Sequence, residues 1–294
     1  MLNITPKFPK KVHFLLGFDF PLIDTFLPRK PFIGGRIGYC KRELFFWLLI
    51  KKTLGLDYRS IGEMAGVCHT TLIRANNKFS QAEIYSKFLI HLVKLAYKQR
   101  LIQGSKVALD SSFVKTYSRK QEFGSGGWNG HKESYGFKLH ALIDAETGIL
   151  IALIIGDGLT HDSQIAIPLL KRARPWLKKC GYVLADKGYD DTKIVEYVAK
   201  TLHAKAAIPI KKIYKGKNYS IKGAYINWKE KAKGRCIKKS IYKKRSEIER
   251  FFSTLKRAFK LGREKTRGIQ AFIENTYLAC ICFMLRRLRI AGIV

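Results

Sequence analysis

The spacing of apolar residues changes about one third of the way along the chain. Residues 1–38 are rich in proline, glycine and aromatic side chains and predict an irregular arm, whereas residues 39–104 are predicted to be helical. Residues 105–294 begin instead with short strand-like apolar runs. These runs lie at 106–117, 134–144 and 148–156. The pattern therefore predicts a helical region followed by a larger region of mixed structure.

The predicted elements of residues 105–294 continue as an alternation of helices and strands. In chain order they are a helix at 161–177, a strand at 182–189, a helix at 191–202, a strand at 203–210, and helices at about 241–260 and 268–290. Residues 211–241 are rich in lysine and glycine and predict a basic loop or small insertion. Three antiparallel-looking strands followed by helix, strand, helix and strand are the order of an RNase H-like α/β fold, a mixed sheet with flanking helices, although several α/β folds share this order.

Residues 57–79 have the capping and turn residues that are typical of a helix-turn-helix. Asp57 can cap the first helix, Gly62 is small enough for the two helices to approach, and Gly66 lies in the turn. The second helix would present polar side chains suited to base edges and phosphates. These are His69, Thr70, Thr71, Arg74, Asn76, Asn77 and Lys78. We expect residues 39–104 to form a DNA-binding domain, with a helical hairpin that has no DNA role as the alternative.

The charge of the chain favours a polyanionic partner. Lysine and arginine number 56 against 22 aspartate and glutamate residues, a formal net charge of +34, and the basic residues run through the whole chain. Self-repulsion on this scale costs stability unless a polyanion is bound. Nucleic acid is therefore the expected partner. An acidic membrane surface is the weaker choice, because the basic residues do not form one amphipathic helix.

Cysteine spacing and hydropathy favour a cytoplasmic protein. The six cysteines form no C-x-x-C pair and no repeated metal-ligand spacing, so reduced thiols fit best. The apolar run at 148–156 is far shorter than the ~20 residues that span a bilayer. We expect a cytoplasmic, nucleoid-associated protein that does not cross a membrane.

Two aspartates occupy the positions where an active site on such a sheet would lie. Asp110 interrupts an apolar strand, where an ionised carboxylate is costly unless it is paired or binds a cation. Asp186 closes the next parallel-looking strand. A helix cap is the usual role of a single aspartate at a strand end, and it suits Asp162 and Asp191 better.

The predicted helix near residue 250 carries two glutamates on different faces. At about 100° per residue, the apolar side chains fall on one stripe, and Glu249 lies beside that stripe. Three further polar residues share the flank of Glu249: Tyr242, Arg245 and Lys256. Glu247 falls on the other flank and is predicted to form a surface pair with a neighbouring basic residue.

The spacing Y-x2-R-x3-E-x6-K of these four residues resembles the signature of prokaryotic insertion-sequence transposases of the DDE class. Three further segments, "LDSS", "THDSQ" and "ADKGYDD", are similar in order and content to motifs of that family. The resemblance covers about residues 105–290. Lys244 departs from it, since an arginine often precedes the arginine of the signature. The segment before the third acid is also short, which argues against the large β-insertion of some relatives.

The resemblance implies an RNase H-like catalytic domain in which Asp110, Asp186 and Glu249 hold two Mg²⁺ ions, with Mn²⁺ as a substitute. It also implies that Tyr242, Arg245 and Lys256 contact phosphates of the transposon end. The implied reaction is cleavage at the element's terminal inverted repeats and strand transfer into target DNA. Because two ends must be cut together, a homodimer or higher assembly on DNA is expected, with residues 45–54 and the last helix as candidate seams.

His161 and Trp128 are further candidates, the first near the metals or end phosphates and the second for stacking on a displaced base. A structural role for each is the alternative.

The basic segment 211–241, with Tyr214, Tyr219 and Trp228, would suit a DNA backbone. Two other functions stay open from sequence: a non-catalytic DNA-binding protein or repressor, and an RNase H-like nuclease without strand transfer.

Overall fold

The chain folds into two compact units in the computed structural model. The first unit comprises Met1–Gln99, Thr116–Ser125 and Ser253–Val294, and the second comprises Arg100–Lys115 and Gly126–Phe252. The structure describes residues 8–17, 20–27, 38–117, 126–130, 132–210, 234–235, 238–264 and 267–293. Most of the predicted basic segment 211–241, including Tyr214, Tyr219 and Trp228, and much of the predicted arm 1–38 therefore lie outside the described residues.

The first unit is built from helices on both sides of the chain's midpoint. A 3-10 helix at Lys10–Leu15 is followed by α1 (Pro21–Phe26), α2 (Lys41–Leu54), α3 (Tyr58–Ala65), α4 (His69–Gln81), α5 (Ile84–Lys98) and the last helix of the chain, α10 (Gly268–Ile290). Helix α10 packs against α2 and α5. Phe45 on α2 lies at the centre of a cluster of rings with Phe79, Tyr85 and Phe88. Aromatic side chains on three helices thus form the core of this unit.

The two helices and the turn predicted at residues 57–79 are present as α3 and α4. The Asp57 side chain accepts a hydrogen bond of 2.8 Å from the Ser60 amide and so caps α3. Gly66 ends α3 with a φ of +63°, a conformation that favours glycine. A Cβ atom on Gly62 would lie 2.6 Å from the carbonyl oxygen of Val67, so the turn approaches α3 too closely for any side chain there.

A buried polar network joins α4 to α10. Asn76 donates to the Glu274 carboxylate and accepts a hydrogen bond of 2.6 Å from the Tyr85 hydroxyl. Gln270, one turn before Glu274, bonds to both Ser80 and Glu274. Asn76 is only 3% exposed, so its predicted place among the DNA-facing residues of α4 is wrong, because its amide satisfies a buried acid instead.

Truncation of Glu274 should destabilise the first unit. Glu274→Ala would leave the Asn76 amide buried without its acceptor, and we expect the free energy of unfolding to fall by about 2–3 kcal/mol. Urea denaturation followed by circular dichroism measures this change. Glu196→Ala is the control, because it removes a carboxylate from an exposed i,i+4 pair with Lys200 and should change stability by less than about 0.5 kcal/mol. Equal effects of the two substitutions would contradict the structural role of Glu274.

Helix α10 is the one helix in the described part of the chain that is long and apolar enough to cross a membrane. Its most apolar window is 67% buried inside the protein, and its side chains pack in the first unit. It is therefore a core helix. Most apolar side chains of α10 and of residues 45–54 on α2 are buried within the first unit, and a dimer seam at either place stays a prediction.

The second unit contains a six-stranded mixed sheet. Its strands are β1 (Lys106–Lys115), β2 (Gly127–Asn129), β3 (Ser134–Asp144), β4 (Leu150–Asp157), β5 (Tyr182–Leu184) and β6 (Lys205–Ala207). Strand β3 pairs antiparallel with β1 on one side and with β4 and β2 on the other, and β5 and β6 extend the sheet parallel to β1. The order β4–β3–β1–β5–β6 is that of the RNase H-like fold, which confirms the predicted fold class.

The remaining helices belong to this unit, apart from the last residues of one of them. They are α6 (Asp162–Ala173), α7 (Thr192–Thr201), α8 (Lys239–Tyr242) and α9 (Ser246–Arg257), with 3-10 turns at Arg174–Trp176, Lys187–Tyr189 and Lys243–Arg245. The last residues of α9, from Ser253 on, belong to the first unit. Helix α6 packs on β3 and β4, and α7 packs on β6. The helix predicted at 241–260 is therefore divided, since its first part is a short helix and a 3-10 turn that lies against β1.

Candidate active site

Asp110 lies in the middle of the sheet, on the central strand β1. It is opposite Ala141 of β3, and its side chain is 21% exposed. Its Oδ1 accepts a hydrogen bond of 2.8 Å from the Ser111 amide. Burial, with a smaller contribution from the nearby charge of Asp186, raises the pKa of Asp110 from its ordinary value of 3.8 to about 6, although the Ser111 amide and Arg245 oppose the shift. An acid in this environment favours a proton or a cation close to it.

Asp186 follows β5, the parallel neighbour of β1. In the register of these strands Ala108 is opposite Leu184, so Asp110 and Asp186 each lie two residues beyond a paired position. Neighbouring strands are about 4.8 Å apart, so Asp110, within β1, lies close to the point where the chain leaves β5 for Asp186. Asp186 is exposed and begins the 3-10 turn Lys187–Tyr189. The parallel pairing of their strands agrees with the prediction, but the strand predicted at 182–189 ends at Leu184, so Asp186 lies just beyond it.

The two glutamates of α9 have different partners, as their helix positions predict. Glu249 accepts a hydrogen bond of 2.5 Å from Arg245, and its side chain is 57% exposed. Glu247 pairs with Arg250 on the other flank of the helix, which confirms its predicted surface pair. The predicted apolar stripe is buried, with Ile248 fully inaccessible. This burial fixes the rotation of α9 and holds Glu249 beside the sheet.

Arg245 bonds both to Asp110 on the sheet and to Glu249 on α9. Its Nη1 lies 3.3 Å from Asp110 Oδ2 while its Nη2 donates to Glu249, and its guanidinium carbon lies 5.8 Å from the centre of the Tyr242 ring. Lys256 is half-buried and follows Glu249 by seven residues, which places it on the same face of α9. The structure thus gathers Tyr242, Arg245 and Glu249 near Asp110.

Lys244, where the sequence departs from the family pattern, has a structural partner. Its Nζ lies 2.8 Å from the Glu146 carboxylate, which also accepts from Lys106 at the start of β1. These two lysines hold the pKa of Glu146 below its ordinary value. The substitution therefore keeps a cation that joins the 3-10 turn before α9 to the β3–β4 connection.

The three acids lie near one another, but they do not form a complete set of metal ligands. Within the described ranges there is no group of three His, Cys, Asp or Glu side chains close enough together to hold one metal ion. Their chemistry nevertheless fits Mg²⁺ or Mn²⁺, which prefer carboxylate oxygens. The half-buried carboxylate of Asp110 is the observation that favours a cation at this point of the sheet.

Two supports of the site were not predicted from the sequence. The buried Tyr189 shares a side-chain hydrogen bond with Ser111, the residue after Asp110, and burial raises the pKa of its hydroxyl. Arg235 forms a fully buried ion pair of 2.5 Å with Asp190 and also donates to the Ile208 carbonyl oxygen. The double aspartate in "ADKGYDD" was a signal for this pair, because only Asp191 is needed to cap α7.

His161 is the N-cap of α6, where its Nδ1 lies 2.8 Å from Ser163 Oγ and accepts from the Ser163 amide. The prediction that Asp162 caps this helix is wrong, because Asp162 lies in the first turn and pairs with Lys138 at 3.1 Å. The predicted cap Asp191 is confirmed at α7. A direct role of His161 in the reaction stays a prediction.

Trp128 lies on β2 at the margin of the sheet, and its ring is 48% exposed. It packs edge-on against Tyr135 of β3, with ring centres 5.2 Å apart. Leu159, also exposed, contacts the neighbouring Gly127. Base stacking by Trp128 stays a prediction, and about half of the residue is accessible to solvent.

Apart from the buried Asn76, the predicted DNA-facing side chains of α4 lie at least partly on its surface. Thr70, Arg74 and Asn77 are exposed and Thr71 is half-buried, while Leu72, Ala75 and Phe79 face the core of the first unit. Thr70 also bonds to the exposed Cys68 at the start of the helix. Base or phosphate contact by these residues stays a prediction.

A mixed sheet in this order, with one acid within the central strand and a second just after its parallel neighbour, is typical of the RNase H-like class of proteins. The sequence profile of the transposase DDE domain matches residues 102–285. A putative transposase for insertion sequence element IS6501 from Brucella ovis is 30% identical over 149 residues, which are 51% of this chain and 98% of that protein. The chain belongs to the DDE transposases of insertion sequences.

A solved structure of a distant transposase agrees with this fold. The piggyBac transposase in a synaptic complex with hairpin DNA has a TM-score of 0.50 at 11% sequence identity, with 92% of this chain and 72% of that chain covered. At this identity the similarity shows the fold alone. The same fold therefore occurs in a transposase whose sequence is much less similar to this chain than that of the insertion-sequence relative.

Proposed function

We propose that this transposase binds the terminal inverted repeats of its element and catalyses metal-dependent DNA strand cleavage followed by strand transfer. The observation that carries the proposal is the contact of Asp110 on β1 with Arg245, 135 residues further along the chain, which also bonds to Glu249 on α9. Asp186 at the neighbouring strand end supplies the third acid. A purely structural sheet edge has no need for such a concentration of charge.

Asp110, Asp186 and Glu249 would hold two Mg²⁺ ions, and Mn²⁺ would substitute. When bound, the ions would activate water or a 3′-hydroxyl and stabilise the leaving oxygen of the phosphodiester. Asp110 would contribute the fixed ligand, because β1 and the Ser111 amide hold its carboxylate in place. Glu249 is more exposed and would complete the ligand set from the helix.

Arg245, Tyr242 and Lys256 would contact phosphates of the transposon end, and the guanidinium of Arg245 suits a phosphate in a two-bond geometry. Thr70, Thr71, Arg74 and Asn77 on α4 would contact the inverted repeat in the groove or along its backbone. The net charge of +34 supports binding to DNA over its length. A homodimer or larger assembly on DNA would bring two ends together.

A combined cleavage and strand-transfer assay tests this function. The purified protein is incubated with a labelled duplex that ends in the element's inverted repeat, with a supercoiled target plasmid and either Mg²⁺ or Mn²⁺. We expect nicking at the repeat boundary and joined end–target products, both lost in EDTA. A scrambled repeat of the same length is the matched DNA control, and it should yield few joined products.

The products also distinguish the alternatives. Metal-dependent cleavage without joining, even when a pre-cleaved 3′-hydroxyl end is supplied, would replace the proposal by a nuclease function. Repeat-specific binding without any cleavage in either metal would leave a DNA-binding or repressor function.

A further inference from the structure

One arginine engages two of the three acids. Arg245 donates to Asp110 with one terminal nitrogen and to Glu249 with the other. The Arg245 and Asp110 side chains are 20% and 21% exposed, so this contact is partly shielded from water. The Tyr242 ring beside the guanidinium restricts it further.

The oxygens that Arg245 engages are the ones that a divalent cation would need. A carboxylate that accepts from a guanidinium offers fewer lone pairs to a metal, and the positive charge of the arginine repels a second cation. Arg245 and a metal ion at Asp110 and Glu249 therefore compete. Arg250, on the same helix, takes no part in this competition, because it pairs with Glu247 on the opposite flank.

A DNA phosphate offers Arg245 an alternative partner of the same sign and geometry. Guanidinium groups bind phosphates as they bind carboxylates, through two parallel hydrogen bonds. The 3-10 turn that carries Arg245 precedes α9, so the side chain can leave Glu249 without any change in the buried stripe of that helix.

We propose that Arg245 is an exchangeable counter-ion that couples metal binding to DNA-end binding. It occupies oxygens of Asp110 and Glu249 in the free protein, and a phosphate of the DNA end withdraws it so that these oxygens can bind the metal. The inference rests on the proposed function of the acids. Because coupling is reciprocal, the metal must also tighten the binding of the DNA end by the same factor.

Manganese binding to the full-length protein without DNA tests the exchange. Free Mn²⁺ is measured by electron paramagnetic resonance during a titration of wild type, Arg245→Ala, Arg245→Gln and the control Arg250→Ala. We expect both Arg245 variants to bind Mn²⁺ about tenfold more tightly than wild type, within the usual range of coupling between sites. Arg250→Ala should bind as wild type does. Circular dichroism identifies any variant that is not folded, and the other Arg245 variant then decides the result.

The reciprocal effect is measured on DNA. The affinity for a fluorescent inverted-repeat duplex is compared with and without Mn²⁺ at constant ionic strength. Wild type and Arg250→Ala should gain about tenfold with Mn²⁺, whereas the Arg245 variants should gain little.

The failures of the inference and of the proposed function are distinguishable with Asp110→Asn. If this variant loses Mn²⁺ binding while Arg245→Ala and Arg245→Gln bind no more tightly than wild type, the acids hold metal and the exchange is wrong. If Asp110→Asn binds Mn²⁺ as wild type does, the proposed metal site itself is wrong, and the inference is overturned with it.

Discussion

Asp110→Asn is expected to reduce DNA cleavage at least about a thousandfold, which corresponds to about 4 kcal/mol of transition-state stabilisation. The amide is nearly isosteric with the carboxylate but carries no charge, so it would be a poor ligand for Mg²⁺. In the absence of divalent metal, binding to an inverted-repeat duplex should stay within about threefold of wild type, because the proposed DNA contacts lie on other residues. The two effects are measured by single-turnover cleavage and by fluorescence anisotropy on the same preparation.

The same substitution should stabilise the folded protein at high pH. Burial holds the pKa of Asp110 at about 6 in the folded state, above the ordinary value of 3.8, so the folded state binds a proton more tightly than the unfolded state does. The stability from that proton is complete below pH 4 and is lost as the pH rises through 6. Asp110→Asn escapes this loss, and its free energy of unfolding should exceed that of wild type by about 2–3 kcal/mol at pH 8 and by little at pH 4.

Asp157→Asn is the matched control for both effects. Asp157 lies at the exposed end of β4 and accepts a hydrogen bond from the Leu159 amide, which asparagine can also accept. It should change neither cleavage nor the pH dependence of unfolding. If Asp110→Asn cleaves DNA as well as Asp157→Asn does, Asp110 does not belong to the proposed metal site.

Glu249→Gln is expected to abolish strand transfer, whereas Glu247→Gln should leave it within about twofold of wild type. The two glutamates lie two residues apart on α9 and are chemically identical, but the buried stripe of the helix turns Glu249 towards Arg245 and Glu247 towards Arg250. We expect a loss of about a thousandfold or more for Glu249→Gln, because it removes the proposed third ligand.

The measurement is the yield of joined products from a pre-cleaved end, which makes strand transfer independent of the cleavage step. Thermal unfolding of both variants should be close to that of wild type, because surface ion pairs contribute about 0–1 kcal/mol. Similar losses of joining in both variants would show that the charge of α9, and not the face on which it lies, matters for the reaction.

Several parts of this site could be predicted from the sequence because they depend on neighbouring residues. The caps at Asp57 and Asp191 involve amides within three positions, and the rotation of α9 follows from the spacing of its apolar residues. The cap of α6 could not be predicted in this way, because it depends on a residue of another element. Asp162 was the better candidate by residue type, yet Lys138 on β3 takes its carboxylate, and His161 caps the helix instead.

Long-range packing decided what the sequence pattern left undetermined. The sequence predicted domains as consecutive segments, whereas the compact first unit includes α10 from the end of the chain together with the early helices. Asn76 has the residue type of a DNA contact, but Glu274, 198 residues away, makes it a buried hydrogen-bond partner. Polarity alone does not reveal which polar side chains a distant helix will cover.

The sequence by itself determined the order of the main strands and helices, the amphipathic face of α9 and the presence of three acids suited to metal, because periodicity and residue chemistry act over short distances. It did not predict β2 or the division of the helix expected at 241–260. Only the tertiary structure decided that Arg245 lies between Asp110 and Glu249. That contact requires β1 at the centre of the sheet and α9 rotated by its buried stripe, and it depends on the packing of residues more than a hundred positions apart.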